Sequence, residues 1–343
     1  MKVVPVRDST GMFLAHDMTE IIPGKFKGVA FKKGHIVQEA DIPRLLNMGK
    51  EHVAIIEFNE GTIHEDDAAI RLAKAASGCG VIFEGTTEGK VNMLASESGL
   101  LKINYNILQE INELGEMMMA TLHTDMMVSK GTLVASTRII PLSIENEKLE
   151  IMEKLCARNE PIVRVLPLKK FKVGVVTTGN QIYYGRIEDK FGDVIREKFS
   201  ELDSHVFKQV FSRDDSDMIA KCILDLIEEG ADIVTVTGGM SVDPDDVTPE
   251  GIKKSGAEFV SYGAPTLPGA MFLVSYIGEI PVLGLPGCIM YSRRTVFDLV
   301  VPKLIVGEKL TPKDISKLGH GGLCSSCAEC HYPNCGFGKG GLV

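Results

Sequence analysis

From Phe171 to Leu304 the chain alternates short apolar runs with amphipathic segments, and this alternation constrains the fold more than any other feature of its 343 residues. Residues 172–177, 205–211, 232–236 and 280–285 read as strands rich in β-branched side chains. Residues 195–202, 216–229 and 290–304 read as helices between and after them. In the second of these, Met218, Ile219, Cys222, Ile223, Leu226 and Ile227 mark one buried face. Strands separated by helices of this length predict a doubly wound, mostly parallel α/β sheet with helices on both faces. The domain is expected over residues 167–310, after a linker at 166–170.

The segments before it differ in pattern. Residues 1–60 alternate short β-type runs with glycine turns around one short helix at 39–46, a small β-rich module. Residues 61–166 form an α+β module. It has an acid-fronted helix from His64, a strand at 89–95 and a helix at 103–116, whose stripe is Ile107, Leu108, Ile111 and Leu114. Met117, Met118 and Met119 read as core filler. His16, His35, His52, His64, His123 and His205 show no ligand spacing and read as structural or surface residues.

Charge and hydropathy exclude some functions. A net charge of −9 does not suit a protein that binds nucleic-acid phosphates. The most apolar long window, 271–291, contains Glu279, Pro281 and Pro286 and reads as core strands and a turn rather than a membrane span. The first ten residues are charged and lack an apolar core, so the expectation is a cytoplasmic chain with neither a membrane nor a nucleic-acid partner.

In a sheet of this kind ligands bind beyond the carboxyl ends of the strands. Three loops there have suitable residues: Thr177-Thr178-Gly179-Asn180, Gly238-Gly239-Met240-Ser241 and Leu285-Pro286-Gly287. Glycine allows close approach of a ligand to the backbone, and exposed amides beside a helix start attract phosphate. The second loop runs into Asp243, Asp245 and Asp246, ahead of a helix start at Thr248-Pro249-Glu250. Acids beside a phosphate site repel it unless a hard cation such as Mg²⁺ intervenes. The same acids also suit plain turn and cap roles.

These residues, taken in order, resemble the molybdopterin-binding domain shared by molybdopterin molybdenumtransferases and molybdopterin adenylyltransferases. The resemblance rests on Thr177-Thr178-Gly179-Asn180-Gln181, the segment Gly185 to Gly192 with Asp189 inside it, Asp214-Asp215, Gly238-Gly239-Met240-Ser241 with Asp246-Val247-Thr248-Pro249-Glu250, and Gly284-Leu285-Pro286-Gly287. It implies that Thr177, Thr178, Gly179, Asp189, Gly238, Gly239, Met240, Ser241, Pro286 and Gly287 hold the pterin and its phosphate. It also implies that Asp246 and Asp214 are catalytic, with Asp246 as ligand to Mg²⁺.

The activity so implied is molybdenum-cofactor biosynthesis by a molybdopterin molybdenumtransferase, which binds adenylated molybdopterin, inserts molybdate and releases AMP. The alternatives are a molybdopterin adenylyltransferase, or a non-catalytic carrier or sensor of molybdopterin. Implied partners are molybdopterin and its adenylate, molybdate, a receiving molybdoenzyme or other cofactor-biosynthesis proteins, and further copies of the chain in a homo-oligomer. Met240-Ser241 stands where the adenylyltransferases carry Thr-Gly, and Cys288 stands where the molybdenumtransferases carry Asn.

The final segment, 311–343, has no counterpart in that family. Cys324, Cys327, Cys330 and Cys335 fall within twelve residues, at spacings of two, two and four. Four thiolates suit a [4Fe–4S] cluster or tetrahedral Zn²⁺. This cysteine-rich tail is expected to bind metal on its own, hinged at 317–322, with a flexible stretch at 337–341.

Overall fold

A computed structural model of the chain describes residues 2–22, 26–56, 61–241, 243 and 246–340. Asp245 of the acidic loop and Gly341 lie outside the described residues. The chain divides into two compact units. The first comprises 1–97, 102–122 and 129–165, and the second comprises 98–101, 123–128 and 166–343.

In the first unit, Lys2–Pro5 pairs antiparallel with His52–Ile55, and Met18–Ile22 pairs antiparallel with Phe26–Phe31. Val6, Leu14, Val37, Leu45 and Val53 fill the small core between these pieces. The short helix Ile42–Asn47 follows a 3-10 turn, Glu39–Asp41, closed by reciprocal bonds between Gln38 and Asp41.

A four-stranded antiparallel sheet follows, in the order Val81–Thr87, Lys90–Ala95, Leu133–Ile139, Met117–Thr121. Helix Glu65–Ala76 buries Ala68, Ala69, Leu72, Ala73 and Ala76. Its Arg71 forks onto both carboxylate oxygens of Glu153 on helix Asn146–Ala157, at 2.8 Å each.

Two expectations change in this unit. The methionine run is a strand, so Met117 and Met119 point inward while Met118 is exposed. The helix expected at 103–116 is shorter, Tyr105–Glu113. Ile103 closes a strand, and the Asn104 side chain caps the helix by accepting from the Ile107 amide.

The second unit carries the alternating segment. Its strands are β1 (Lys172–Thr178), β2 (His205–Ser212), β3 (Ile233–Thr237), β4 (Glu258–Tyr262), β5 (Leu273–Ile277) and β6 (Ile280–Leu285). Its helices are α1 (Asn180–Tyr183), α2 (Phe191–Ser200), α3 (Ser216–Glu228), α4 (Thr248–Lys254), α5 (Val296–Ile305) and α6 (Pro312–Ser316). They make one six-stranded sheet in the order β2-β1-β3-β6-β5-β4. Neighbours from β2 to β6 run parallel, and β5 and β4 add antiparallel.

Strand alternation splits the core in two. Val173 and Val175 pack with Ile195 and Phe199 of α2 and with Phe297, Val300 and Val301 of α5. Val176, Val234 and Val236 pack with Ile219, Ile223 and Leu226 of α3 and with Ile252 of α4. The sheet is therefore covered by helices on both faces, the doubly wound α/β arrangement.

The helix expected at 290–304 breaks in two. Gly287–Met290 is a 3-10 turn, and α5 begins only at Val296. Thr295 and Asp298 fix that start with a reciprocal capping box. Asp298 is also buried against Lys198, 3.1 Å away, and Arg294, 2.8 Å away.

The tail is held within the same unit. Lys317–Gly319, expected as part of a hinge, is a 3-10 turn. Leu323 bridges to Leu267, flanked by Leu267 N–H to Gly322 O and Cys324 N–H to Leu267 O, each 2.8 Å. Phe337, expected to be flexible, is buried. The Tyr332 hydroxyl donates to the Asp298 carbonyl at 3.0 Å. Among the described residues no helix is long and apolar enough to cross a membrane.

Candidate functional site

The strand order turns back between β1 and β3, because β2 lies on one side of β1 and β3 on the other. In doubly wound sheets ligands bind beyond the carboxyl ends of the strands at such a switch point. Thr178 ends β1 and Thr237 ends β3, so the first and second glycine loops start side by side.

A chain of hydrogen bonds ties these loops together. The Thr178 hydroxyl donates to the Thr237 carbonyl at 3.3 Å and lies 3.1 Å from the Thr248 hydroxyl. Thr248 donates to the Gly238 carbonyl at 2.8 Å. Both threonines are buried. Gly238 has φ +91°, and a Cβ there would fall 2.4 Å from the Thr178 carbonyl oxygen. Gly239 has φ +55°, and its Cβ would fall 2.9 Å from the Thr248 hydroxyl. The glycine pair is thus needed for the loops to close on each other, not only for a ligand to approach.

The acidic residues take distinct positions. Asp246 folds back across its loop, and its Oδ2 accepts from the Ser241 amide at 3.0 Å and the Asp243 amide at 3.3 Å. Its Oδ1 takes no hydrogen bond from the described residues. Asp243 is exposed. Asp214 stands on the other side of β1. Its Oδ2 accepts from the Asn180 amide at 2.9 Å, and the Asn180 side chain accepts from the Asp214 amide at 3.4 Å. The two acids expected to act in catalysis therefore belong to different loops, one beyond β2 and one beyond β3.

Asp189 sits just ahead of α2. It caps α2 by accepting from the amides of Phe191 at 2.9 Å and Gly192 at 3.1 Å. Gln209 donates to Asp189 at 2.6 Å and to the Thr177 hydroxyl at 2.9 Å. Thr177 is buried, and Gly179 donates its amide to the Ser212 carbonyl at 3.1 Å.

The Met240 side chain lies in the core beside Gly284, where an added Cβ would be 2.5 Å from the methionine methyl. Its carbonyl accepts from the Tyr262 hydroxyl at 3.1 Å. Burial, with Asp246 nearby, raises the Tyr262 phenol above its ordinary range. Pro286 is buried and Gly287 exposed at the end of β6, which pairs with β3 as far as Thr237 and Leu285.

Four residues of this junction did not stand out in the sequence as ligand-loop residues. Thr248 read as a helix start and a motif position without a ligand role, Thr237 as a strand end, Gln209 as a strand residue, and Tyr262 carried no expectation. The Thr237 hydroxyl is buried with no hydrogen-bond partner. A threonine run at a strand end is the sequence signal that could have drawn attention to Thr237.

Mg²⁺ is commonly held by one or two carboxylates together with substrate phosphates. Asp246 retains one carboxylate oxygen for that purpose, so the position fits. Helix α1 has four residues and α4 has seven, so their dipoles add little and the loop amides carry the anion-binding capacity. The tail thiols of Cys324, Cys327, Cys330 and Cys335 all line one cavity of about 500 Å³. Among the described residues, no three His, Cys, Asp or Glu side chains gather closely enough to hold a single ion.

Comparison with known proteins follows this geometry. The family described as "probable molybdopterin binding domain" matches residues 174–305, and one described as a domain of unknown function matches residues 3–57. Over 95 residues the chain is 36% identical to the molybdopterin adenylyltransferase of Pyrococcus furiosus, which covers 28% of this chain and 56% of that protein. The chain thus spans little more than half the length of that curated relative.

Among solved structures, the molybdopterin biosynthesis enzyme MoaB of Thermus thermophilus is 23% identical with a TM-score of 0.34, covering 40% of this chain and 98% of that one. The tungsten cofactor synthesizing protein MoaB of Pyrococcus furiosus is 26% identical with a TM-score of 0.31, covering 35% and 84%. Residues 174–305 of this chain match the molybdopterin-binding domain family and resemble the adenylyltransferase in part of that span.

Proposed function

We propose that the second unit binds molybdopterin at the switch point between β1 and β3 and that the chain acts in molybdenum-cofactor biosynthesis, transferring an adenylyl group to the pterin. The observation that carries this reading is the closed junction of Thr178, Gly238 and Thr248 at the switch point, with Asp246 folded beside it. The similarity to an adenylyltransferase over 95 residues supports the choice of step.

In this reading the loop backbones hold the phosphate, and Asp246 presents its remaining oxygen toward it. Mg²⁺ bound there would offset charge on the phosphates. Ser241 and Asp243 keep the Asp246 carboxylate in place through their amides. Tyr262 fixes the loop from the other side through the Met240 carbonyl. The raised phenol pKa keeps the proton for that bond.

A second reading is molybdate insertion with release of AMP. It is favoured by Met240-Ser241 in place of the Thr-Gly of the adenylyltransferases. The two readings separate in assay. Purified chain is given either molybdopterin with ATP and Mg²⁺, or adenylated molybdopterin with molybdate, and the product is identified by mass. Asp246→Asn keeps an acceptor for the two loop amides and removes the charge, so the melting temperature should hold. Turnover in the productive assay should fall about 10²–10³-fold. Turnover close to the unsubstituted chain would remove Asp246 from the reaction.

A further inference from the structure

We propose that the four tail cysteines hold an iron–sulfur cluster, in a pocket built onto the second unit. Cys324, Cys327, Cys330 and Cys335 line one cavity of about 500 Å³ together with Tyr291, Arg293 and Arg294. Tyr291 follows directly on the Gly287–Met290 turn at the third ligand loop.

Three observations carry the proposal. The first is the arrangement of the thiols. Sulfurs on one Zn²⁺, at about 2.3 Å from the metal, must crowd within about 4 Å of each other. Here the four cysteines line one cavity, and among the described residues no three potential ligands gather at single-ion range. A [4Fe–4S] core takes one thiolate at each of its irons and keeps the sulfurs apart, which suits four cysteines that share a cavity without converging on one point.

The second is how the segment is held. Residues 324–333 contain neither helix nor strand, yet both ends are fixed. Leu323 bridges to Leu267 at one end. At the other, Phe337 is buried and the Gly338 amide donates to the Gly321 carbonyl at 2.9 Å. A stretch of this length without a hydrogen-bonded ladder loses much conformational entropy on ordering, and a cross-link through its cysteines would offset that loss. Ser326, between the first two cysteines, takes φ +51°, a left-handed turn uncommon outside glycine that closes the Cys324–Cys327 loop.

The third is charge. Four thiolates on iron carry net negative charge, and Arg293 and Arg294 line the same cavity. Arg294 is fixed there by Glu201 and Asp298, at 2.7 and 2.8 Å, and lies over the Tyr332 ring.

The test uses the full chain, purified without oxygen and reconstituted with equal amounts of ferrous and ferric iron and with sulfide, with no pterin present, so that its result is independent of the proposed pterin function. We expect about four iron and four acid-labile sulfide per chain. A broad visible absorption band should bleach with dithionite. Cys330→Ser, at an exposed position, should lose the band and most of the sulfide while far-ultraviolet circular dichroism stays the same. Cys79→Ser, exposed in the first unit, should keep both. If Cys330→Ser does not fold, Cys327→Ser takes its place. Stoichiometric zinc without iron, no metal in the reconstituted chain, or iron and sulfide equally retained in a folded tail variant would overturn the proposal.

Discussion

At the scale of single residues, the junction rests on positions where only one residue type serves. Gly238 combines a positive φ with a backbone carbonyl 2.4 Å from any Cβ, so Gly238→Ala must strain the backbone and push β1 from β3. We expect a stability loss on the order of 1–3 kcal/mol, read as a lower midpoint in denaturant unfolding. An unchanged midpoint would show that the loops are not closed on each other in solution. The sequence marked Gly238 and Gly239 for their freedom to admit a ligand. It could not show that the atom excluded by the missing Cβ belongs to Thr178, 60 positions earlier. For the same reason Thr248 read as a helix start. Its hydroxyl acts on partners that only the folded sheet brings near. Asp189 and Met240 show the converse: a matching motif position whose side chain is taken up by a helix cap in one case and by the core in the other.

At the scale of elements, β1, β2, β3, β6 and α3 were legible, the strands from their apolar runs and the helix from its periodic buried face. The start of α5 was not, because it depends on a local bond pattern. Thr295 and Asp298 cap each other, and Asp298 also answers Lys198, which is buried with it. Removing one partner of a buried pair leaves the other uncompensated. Asp298→Ala should therefore destabilise the second unit by about 3–5 kcal/mol, seen as a large fall in thermal midpoint. A loss below about 1 kcal/mol would mean that Lys198 reaches water readily. The window 271–291 announced β5 as a strand but not its antiparallel direction, and β4 carried no expectation.

At the scale of the whole molecule, the chain joins a first unit, whose opening residues match a domain of unknown function, to a second unit that matches the molybdopterin-binding domain family over 174–305 and also carries the cysteine segment. The cysteine spacing was plain in the sequence. The docking of that segment through Leu323, Tyr332 and Phe337 was not, since those contacts reach back to Leu267 and Asp298. The central claim is that the switch point between β1 and β3 takes the pterin. Hydrogen–deuterium exchange of the full chain, with and without saturating molybdopterin, tests it most directly. The account predicts new protection concentrated at 177–181, 238–248 and 285–288, with the first unit unchanged. No saturable binding, or protection confined to residues outside those three loops, would contradict it.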